Sequence, residues 1–291
     1  MTDATIVTPI QVAGRRPGYL DPGNWVLNLL TLSFAAIWFF PVYWALATSF
    51  KTDDEAVRKG VNMLPESLHL DGYAFVIQNS DLPIWYVNSI ITSVSVTVLA
   101  VFMAACAGYA ISQLKFPGRK LLWYTVLASF MVPVSALIVN HFIIIADVKL
   151  LNTHAGMVLP MLISPVTVIV YKNFFDTMPR EYREAALIDG ANEFQLLFQM
   201  FIPMNWGVTT ALAIITFIGA WNSFLWPFLV AQNEKMMTVT VGITAVQDTF
   251  GVAYARVLSG AVLASLPVAL AYLIFQKRVT QAITLSAGIK G

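Results

Sequence analysis

Five side chains lying in stretches free of charged residues offer neutral hydrogen-bonding groups or an aromatic face: Asn88, Thr92, Asn140, Trp221 and Asn222. Amides and hydroxyls can replace water around a polyhydroxylated solute without burying an ion. The indole of Trp221 could stack on the apolar face of a pyranose. A sugar-conducting path is one reading of these residues, and close helix packing is the other. Packing is the usual meaning of Ser89, Ser93 and Thr97 at four-residue spacing and of the small Gly108. The chemistry of catalysis is missing. His69, His141 and His154 show no HExxH or other metal-ligand spacing, and neither GxSxG nor the phosphate-cradling GxxxxGK[ST] occurs. Cys106 is the sole cysteine, so an internal disulfide and a Cys-rich metal site are excluded. The sequence therefore predicts no catalytic residue, no metal site and no cofactor on this chain.

Composition constrains the elements that must position these groups. Of 291 residues, 58% are apolar and 11% charged, against about half and a quarter in a soluble domain. A freely soluble protein is excluded. So is a nucleic-acid binder, because 17 Lys+Arg against 16 Asp+Glu leave a net charge of +1 and no basic field. Between charged residues lie six long uncharged runs: 22–50, 82–114, 121–146, 150–171, 194–233 and 257–276. Each reaches the roughly 20 residues a helix needs to cross a bilayer. Pro203 and Asn205 divide the fifth run, so its membrane part begins at Trp206.

The expected architecture is a single all-α membrane domain. Its six transmembrane helices fall at about 25–49, 85–112, 121–145, 155–172, 206–230 and 257–276, with an extracytoplasmic cap at 51–84. Trp206 and Trp226 would then be the inner and outer interfacial anchors of the fifth span. With the N-terminus inside, eleven of the 17 Lys and Arg fall on the cytoplasmic side and six outside, which places both termini in the cytoplasm. The first apolar run reads as a retained anchor, not a cleaved signal. Pro41, Pro133, Pro160, Pro165, Pro227 and Pro267 interrupt the spans and would kink them.

One inner segment, 178–203, reads as a helical hairpin. Pro179 suits a helix start, Glu181 and Glu184 favour the positive end of its dipole, and Gly190 can close it in a left-handed conformation. Asn192 can cap a second helix in which Phe194, Leu197, Phe198 and Phe201 recur at helical spacing. The adjacent small residues Ala185 and Ala186 would let another protein surface approach the backbone. An interfacial hairpin resting on lipid would carry more Lys and Arg.

The string Glu184 to Gly190, EAALIDG, with Pro203 thirteen positions beyond the glycine, resembles the EAA loop of binding-protein-dependent ABC transporter permeases. Met200 and Ile202 replace the Ile and Leu of that pattern and keep its apolar bulk. Further features are similar to the carbohydrate branch, of the maltose and glycerol-3-phosphate permease type: FKT at 50–52, Asn88-Ser89, FPGRK at 116–120, GAWNSFLWPFLV at 219–230, and the tail LSAGIKG. The resemblance implies the type I importer permease fold in a bacterial or archaeal inner membrane, and ATP-driven uptake of a sugar or sugar derivative. It also implies a second permease subunit, two ATPase subunits or a homodimeric ATPase that bind ATP and Mg, and an extracytoplasmic solute-binding protein. Glu184, Ala185, Ala186, Asp189 and Gly190 would contact the ATPase, with the stretch 286–291 as a further contact and the outer loop 232–256 meeting the binding protein. A local turn hydrogen bond is the other reading of Asp189. An ABC permease for a non-sugar solute shares this mechanism. An ion-coupled secondary transporter should carry intramembrane carboxylates, and no Asp or Glu lies in the six runs.

Overall fold

The computed structural model describes residues 25–58, 62–246 and 253–286, with side chains up to 276. The described residues are helical, and no strand occurs among them. Three helices are long and apolar enough to cross a membrane, and up to six spans result if each of three bent helix pairs counts as one.

The first span is α1 (Trp25–Ser49), which runs through Pro41. Beyond it, the cap is built from α2 (Asp53–Val57) and α3 (Asp71–Gln78). Thr52 caps α2 by accepting from the Glu55 amide at 3.2 Å, and the buried Lys51 donates from Nζ to the Asn62 carbonyl at 2.6 Å. The FKT residues thus close the end of the first span onto the cap.

The second span, α4 (Leu82–Gln113), is the central element. The third run does not form one straight helix. It gives α5 (Arg119–Phe130) and α6 (Val134–Asp147), set at 102°. Pro133 lacks an amide donor and drives its neighbours out of the helical conformation. The fourth span is also broken. α7 (His154–Val158) runs through a tight turn ending at Met161 and then bends by 50° into α8 (Pro165–Asp176). Here Ser164 caps α8 and Pro165 occupies its first turn.

The hairpin consists of α9 (Arg180–Ile188) and a second arm from Glu193 to Met204, made of α10 (Glu193–Gln195), a π-helical turn (Leu196–Phe201) and α11 (Ile202–Met204). It turns by 85° at Asn205 into α12 (Trp206–Trp221). At that corner Asn205 donates from Nδ2 to the Phe201 carbonyl at 2.9 Å and contacts Met178 Sδ at 3.2 Å. The fifth span ends at Trp221 and is followed by a separate α13 (Leu225–Val230), then α14 (Val239–Ala245) and the last span, α15 (Tyr254–Ser286).

Trp226 is not an interfacial anchor. It is 8% exposed, with Nε1 shared between the Gly156 and Met157 carbonyls at 3.3 and 3.1 Å. The break after Trp221 folds α13 back onto α7, which buries the ring. Trp206, at the other end, is exposed.

α4 packs along α8, α12 and α14. Gly108 makes the α4–α8 crossing tight: a Cβ there would lie 2.7 Å from the Tyr171 Cβ and 3.0 Å from the Lys172 amide nitrogen. At the cap end, Asp53 Oδ1 accepts from the Ala255 amide at 3.0 Å and pairs with Arg256 at 3.3 Å. The first turn of α15 is thereby fixed to α2. One packed cluster, built on Tyr109, Tyr171, Phe175, Leu196, Leu197 and Phe201, fills the base of the bundle and seats the hairpin.

Candidate functional site

The hairpin is the best-formed local device in the chain. Pro179 stands in the cap position of α9, one residue before its first turn. At the other end Gly190 adopts φ +84°. Its amide donates to the Leu187 carbonyl at 3.1 Å, and the Ala191 amide reaches the Ala186 carbonyl at 2.9 Å. These two bonds complete a Schellman closure, which needs a left-handed residue at this point. Two residues later Asn192 opens the second arm. Asn192 Oδ1 accepts from the Gln195 amide, and the Asn192 amide donates to Gln195 Oε1, both at 2.9 Å. The N-x-x-Q spacing of this capping box was readable beside the Asn192 cap. The adjoining π-helical turn has no such signal. It widens the helix just before Pro203, whose ring would collide with the preceding turn of a regular α-helix.

Three side chains lock the arms together and to the bundle. Arg183 of α9 forms an ion pair with Glu193 Oε1 of α10, and Tyr109 of α4 donates to Glu193 Oε2 at 2.5 Å. The Tyr109 ring is itself held edge-on against Phe175 and Phe201, with centroids 6.2 and 5.0 Å apart. One turn on, Ser112 donates to Asp176 Oδ1 at 2.6 Å, and Asp176 also pairs with Lys172. Gln113 Nε2 reaches the Phe175 carbonyl at 2.9 Å. The start of the second arm, through Glu193, and the end of α8 that leads into the hairpin, through Phe175 and Asp176, are therefore both tied to α4, so a force on the hairpin is passed to a long apolar helix. Neither Tyr109 nor the Arg183–Glu193 pair was singled out by the sequence, since residues ten and 84 positions apart leave no periodic pattern.

The predicted docking residues fall on one projecting surface. Glu184, Ala185, Asp189 and Gly190 are exposed, while Ala186 is half-buried against the base cluster. Beside them Tyr182, Ile188 and Phe194 stand out as large apolar side chains, with Ile188 86% exposed. Tyr182 and Ile188 escaped the sequence reading, which named Phe194 only for the helical spacing of the second arm. Tyr182 and Ile188 belong to α9, a strongly amphipathic helix whose apolar side is only partly used within the chain, and Phe194 belongs to α10.

The five candidate path residues do not converge. Asn88 is buried near the start of α4: Nδ2 donates to the Lys235 and Met237 carbonyls at 2.9 and 3.0 Å, and Oδ1 lies 3.0 Å from His154 Nε2. Ser89 accepts from the Val239 amide at 2.8 Å, and Trp85 Nε1 reaches the Glu234 carbonyl at 2.8 Å. The Asn88-Ser89 pair thus clamps the segment 234–239 onto α4. Thr92 is buried in the same helix. Trp221 is buried between α4, α12 and α15, with its indole nitrogen 3.3 Å from the Ala264 carbonyl. Asn140 and Asn222 are exposed.

A cavity of about 490 Å³ opens between α6, α8 and α12. Its polar lining comes from His141, Ser164, Thr167, Thr216 and Ser223, with Gly219 leaving one wall low. It holds neighbours of Asn140 and Asn222 but neither of those residues. No group of three or more His, Cys, Asp or Glu able to hold a metal occurs among the described residues. Residues 287–291 and 247–252, parts of the expected ATPase and binding-protein contacts, lie outside the described residues.

Residues 97–284 match the family described as binding-protein-dependent transport system inner membrane component. The chain is 30% identical over 268 residues to the arabinooligosaccharides transport system permease protein AraQ of Bacillus subtilis, covering 91% of this chain and 95% of AraQ. It is 30% identical to the diacetylchitobiose uptake system permease protein NgcG of Streptomyces coelicolor, covering 89% and 87% of the two chains. A chain in the crystal structure of a bacterial ABC transporter involved in the import of the acidic polysaccharide alginate superimposes with a TM-score of 0.78 at 20% identity, covering 89% of this chain and 99% of that one.

Proposed function

The chain belongs to the family of binding-protein-dependent transport system inner membrane components, a transport subunit and not an enzyme, and on that premise we propose that it is the permease half of an ATP-driven importer for a saccharide. The saccharide assignment draws support from relatives named for arabinooligosaccharides and diacetylchitobiose. It fits the six uncharged runs, which carry hydroxyls and amides and no carboxylate.

The carrying observation is the Arg183–Glu193–Tyr109 linkage, which makes the hairpin a rigid extension of α4. In this reading ATP and Mg bind to partner ATPase subunits. Closure of those subunits displaces the hairpin through Glu184, Ala185, Ala186, Asp189 and Gly190, and α4, α8 and α12 move with it. A second permease subunit completes the path, and an extracytoplasmic binding protein delivers the solute. Both termini lie in the cytoplasm, which puts the hairpin on the ATPase side. The bent spans, interrupted at Pro133 and at Ser164-Pro165, supply the hinges around the cavity.

The test is coupling in the reconstituted transporter. Gly190→Pro and Glu184→Lys should insert into the membrane normally yet hydrolyse ATP without uptake of the solute. Normal uptake by both variants would remove the hairpin from the mechanism.

A further inference from the structure

We propose that the α4–α5 turn binds the phosphate of an anionic phospholipid through Lys115, Arg119 and Lys120. This assignment is independent of which solute is carried. The turn 114–118 leaves an open cavity of about 590 Å³ lined by Lys115, Phe116, Gly118, Arg119 and Lys120. Lys115 and Lys120 are exposed and Arg119 is half-buried. No carboxylate pairs with any of the three among the described residues. Arg119 alone has a partner, donating from its guanidinium to the Leu114 carbonyl at 3.1 Å, which holds its stem across the turn. Gly118, at φ +84°, faces open space, and no side chain caps the start of the 12-residue α5. The positive end of that helix dipole is therefore added to three cations without a carboxylate partner, a combination that attracts phosphate.

The apolar residues directly after the cations make the occupant a lipid and not a soluble anion. Leu121 and Tyr124 are 71% and 63% exposed. They begin an apolar run that enters the bilayer, which fixes the cations at headgroup depth and the tyrosine in the aromatic belt. A phosphate alone would leave this apolar flank uncovered, whereas a phospholipid seats its headgroup on the turn and its acyl chains along α5. The neighbouring cation, Lys172, is already engaged, paired with Asp176 and lying 4.8 Å from the centre of the Trp123 ring.

The test is native mass spectrometry of the delipidated, fully assembled transporter, titrated with phosphatidylglycerol or phosphatidylcholine. Wild type should retain phosphatidylglycerol preferentially. Combined Lys115→Gln, Arg119→Gln and Lys120→Gln substitution should weaken that retention about tenfold or more, while Lys115→Arg, Arg119→Lys and Lys120→Arg together preserve it. Each single Gln substitution should give a partial loss, which keeps the test decisive if the triple variant fails to assemble. Equal retention by wild type and the Gln variants would overturn the proposal. So would displacement of the lipid by millimolar inorganic phosphate, which would make this a site for a free anion. Loss of an ATPase subunit with unchanged lipid retention would instead make the turn a protein contact, and the lipid assignment would fall.

Discussion

The hydroxyl of Tyr109, on the second span, donates to Glu193 Oε2 at 2.5 Å, on the second arm of the hairpin. The other oxygen of the same carboxylate holds Arg183 on the first arm. A single side chain therefore joins three helices, and the phenol ring that reaches it packs edge-on against Phe175 and Phe201. Hydrogen bonds to a charged partner are stronger than neutral ones, and here the carboxylate gains two of them.

Removing either end of this linkage should loosen the hairpin without unfolding the bundle. Tyr109→Phe keeps the ring packing and deletes only the donor, while Glu193→Gln removes the charge. Each should reduce solute uptake more than ATP hydrolysis. Because the two groups act as one unit, the double variant should lose little more than the worse single one, with a coupling of about 1 kcal/mol in a double-mutant cycle on thermal stability. Strictly additive losses would show that Tyr109 and Glu193 act separately.

The α4–α8 crossing gives a packing prediction. Gly108→Ala would place a methyl 2.7 Å from the Tyr171 Cβ, against side chain and backbone that cannot swing aside. Such overpacking typically costs about 1–3 kcal/mol. The variant in detergent should unfold several degrees below wild type, measured by tryptophan fluorescence. Gly219→Ala, whose added methyl meets open space within α12, should not lower the midpoint, since alanine favours a helix interior over glycine by about 0.5–1 kcal/mol.

Much of this architecture was legible from the residues, and the reasons differ by element. The uncharged runs mark the spans because a helix satisfies its polar backbone internally and leaves apolar side chains to face lipid. Gly190 and Asn192 mark the hairpin because each supplies a local geometry that few residues can. What could not be read is set by tertiary context. The 102° turn at Pro133 is not encoded by proline alone, since Pro41 and Pro267 lie within continuous helices. Trp226 carries the composition of a membrane anchor, but a break after Trp221 turns it inward. Asn88 looks like a solute ligand until its amide is found committed to two carbonyls and His154.

That commitment separates two roles for Asn88. As a clamp it holds the segment 234–239, so Asn88→Ala would strand the Lys235 and Met237 carbonyls and the His154 nitrogen. Leaving a buried polar group unpaired costs about 1–3 kcal/mol. The expected outcome is a lower unfolding midpoint and less assembled transporter, with an unchanged KM for the solute in the fraction that survives. A raised KM at undiminished stability would return Asn88 to the conducting path.

Gly190 separates backbone strain from docking. Space beside it is open, so an added methyl meets no atom and any destabilisation arises from φ alone. Gly190→Ala should cost about 1–2 kcal/mol, and Gly190→Asn less, since asparagine visits the left-handed region more readily. If the turn matters only for shape, uptake should fall in the order of that strain, with Asn close to wild type and Ala intermediate. If the ATPase surface packs directly on the glycine, the larger Asn should be the worse of the two despite its easier backbone. The rank order of solute uptake at matched protein abundance decides between them, and the Schellman bonds from Gly190 and Ala191 to the end of α9 favour the strain order.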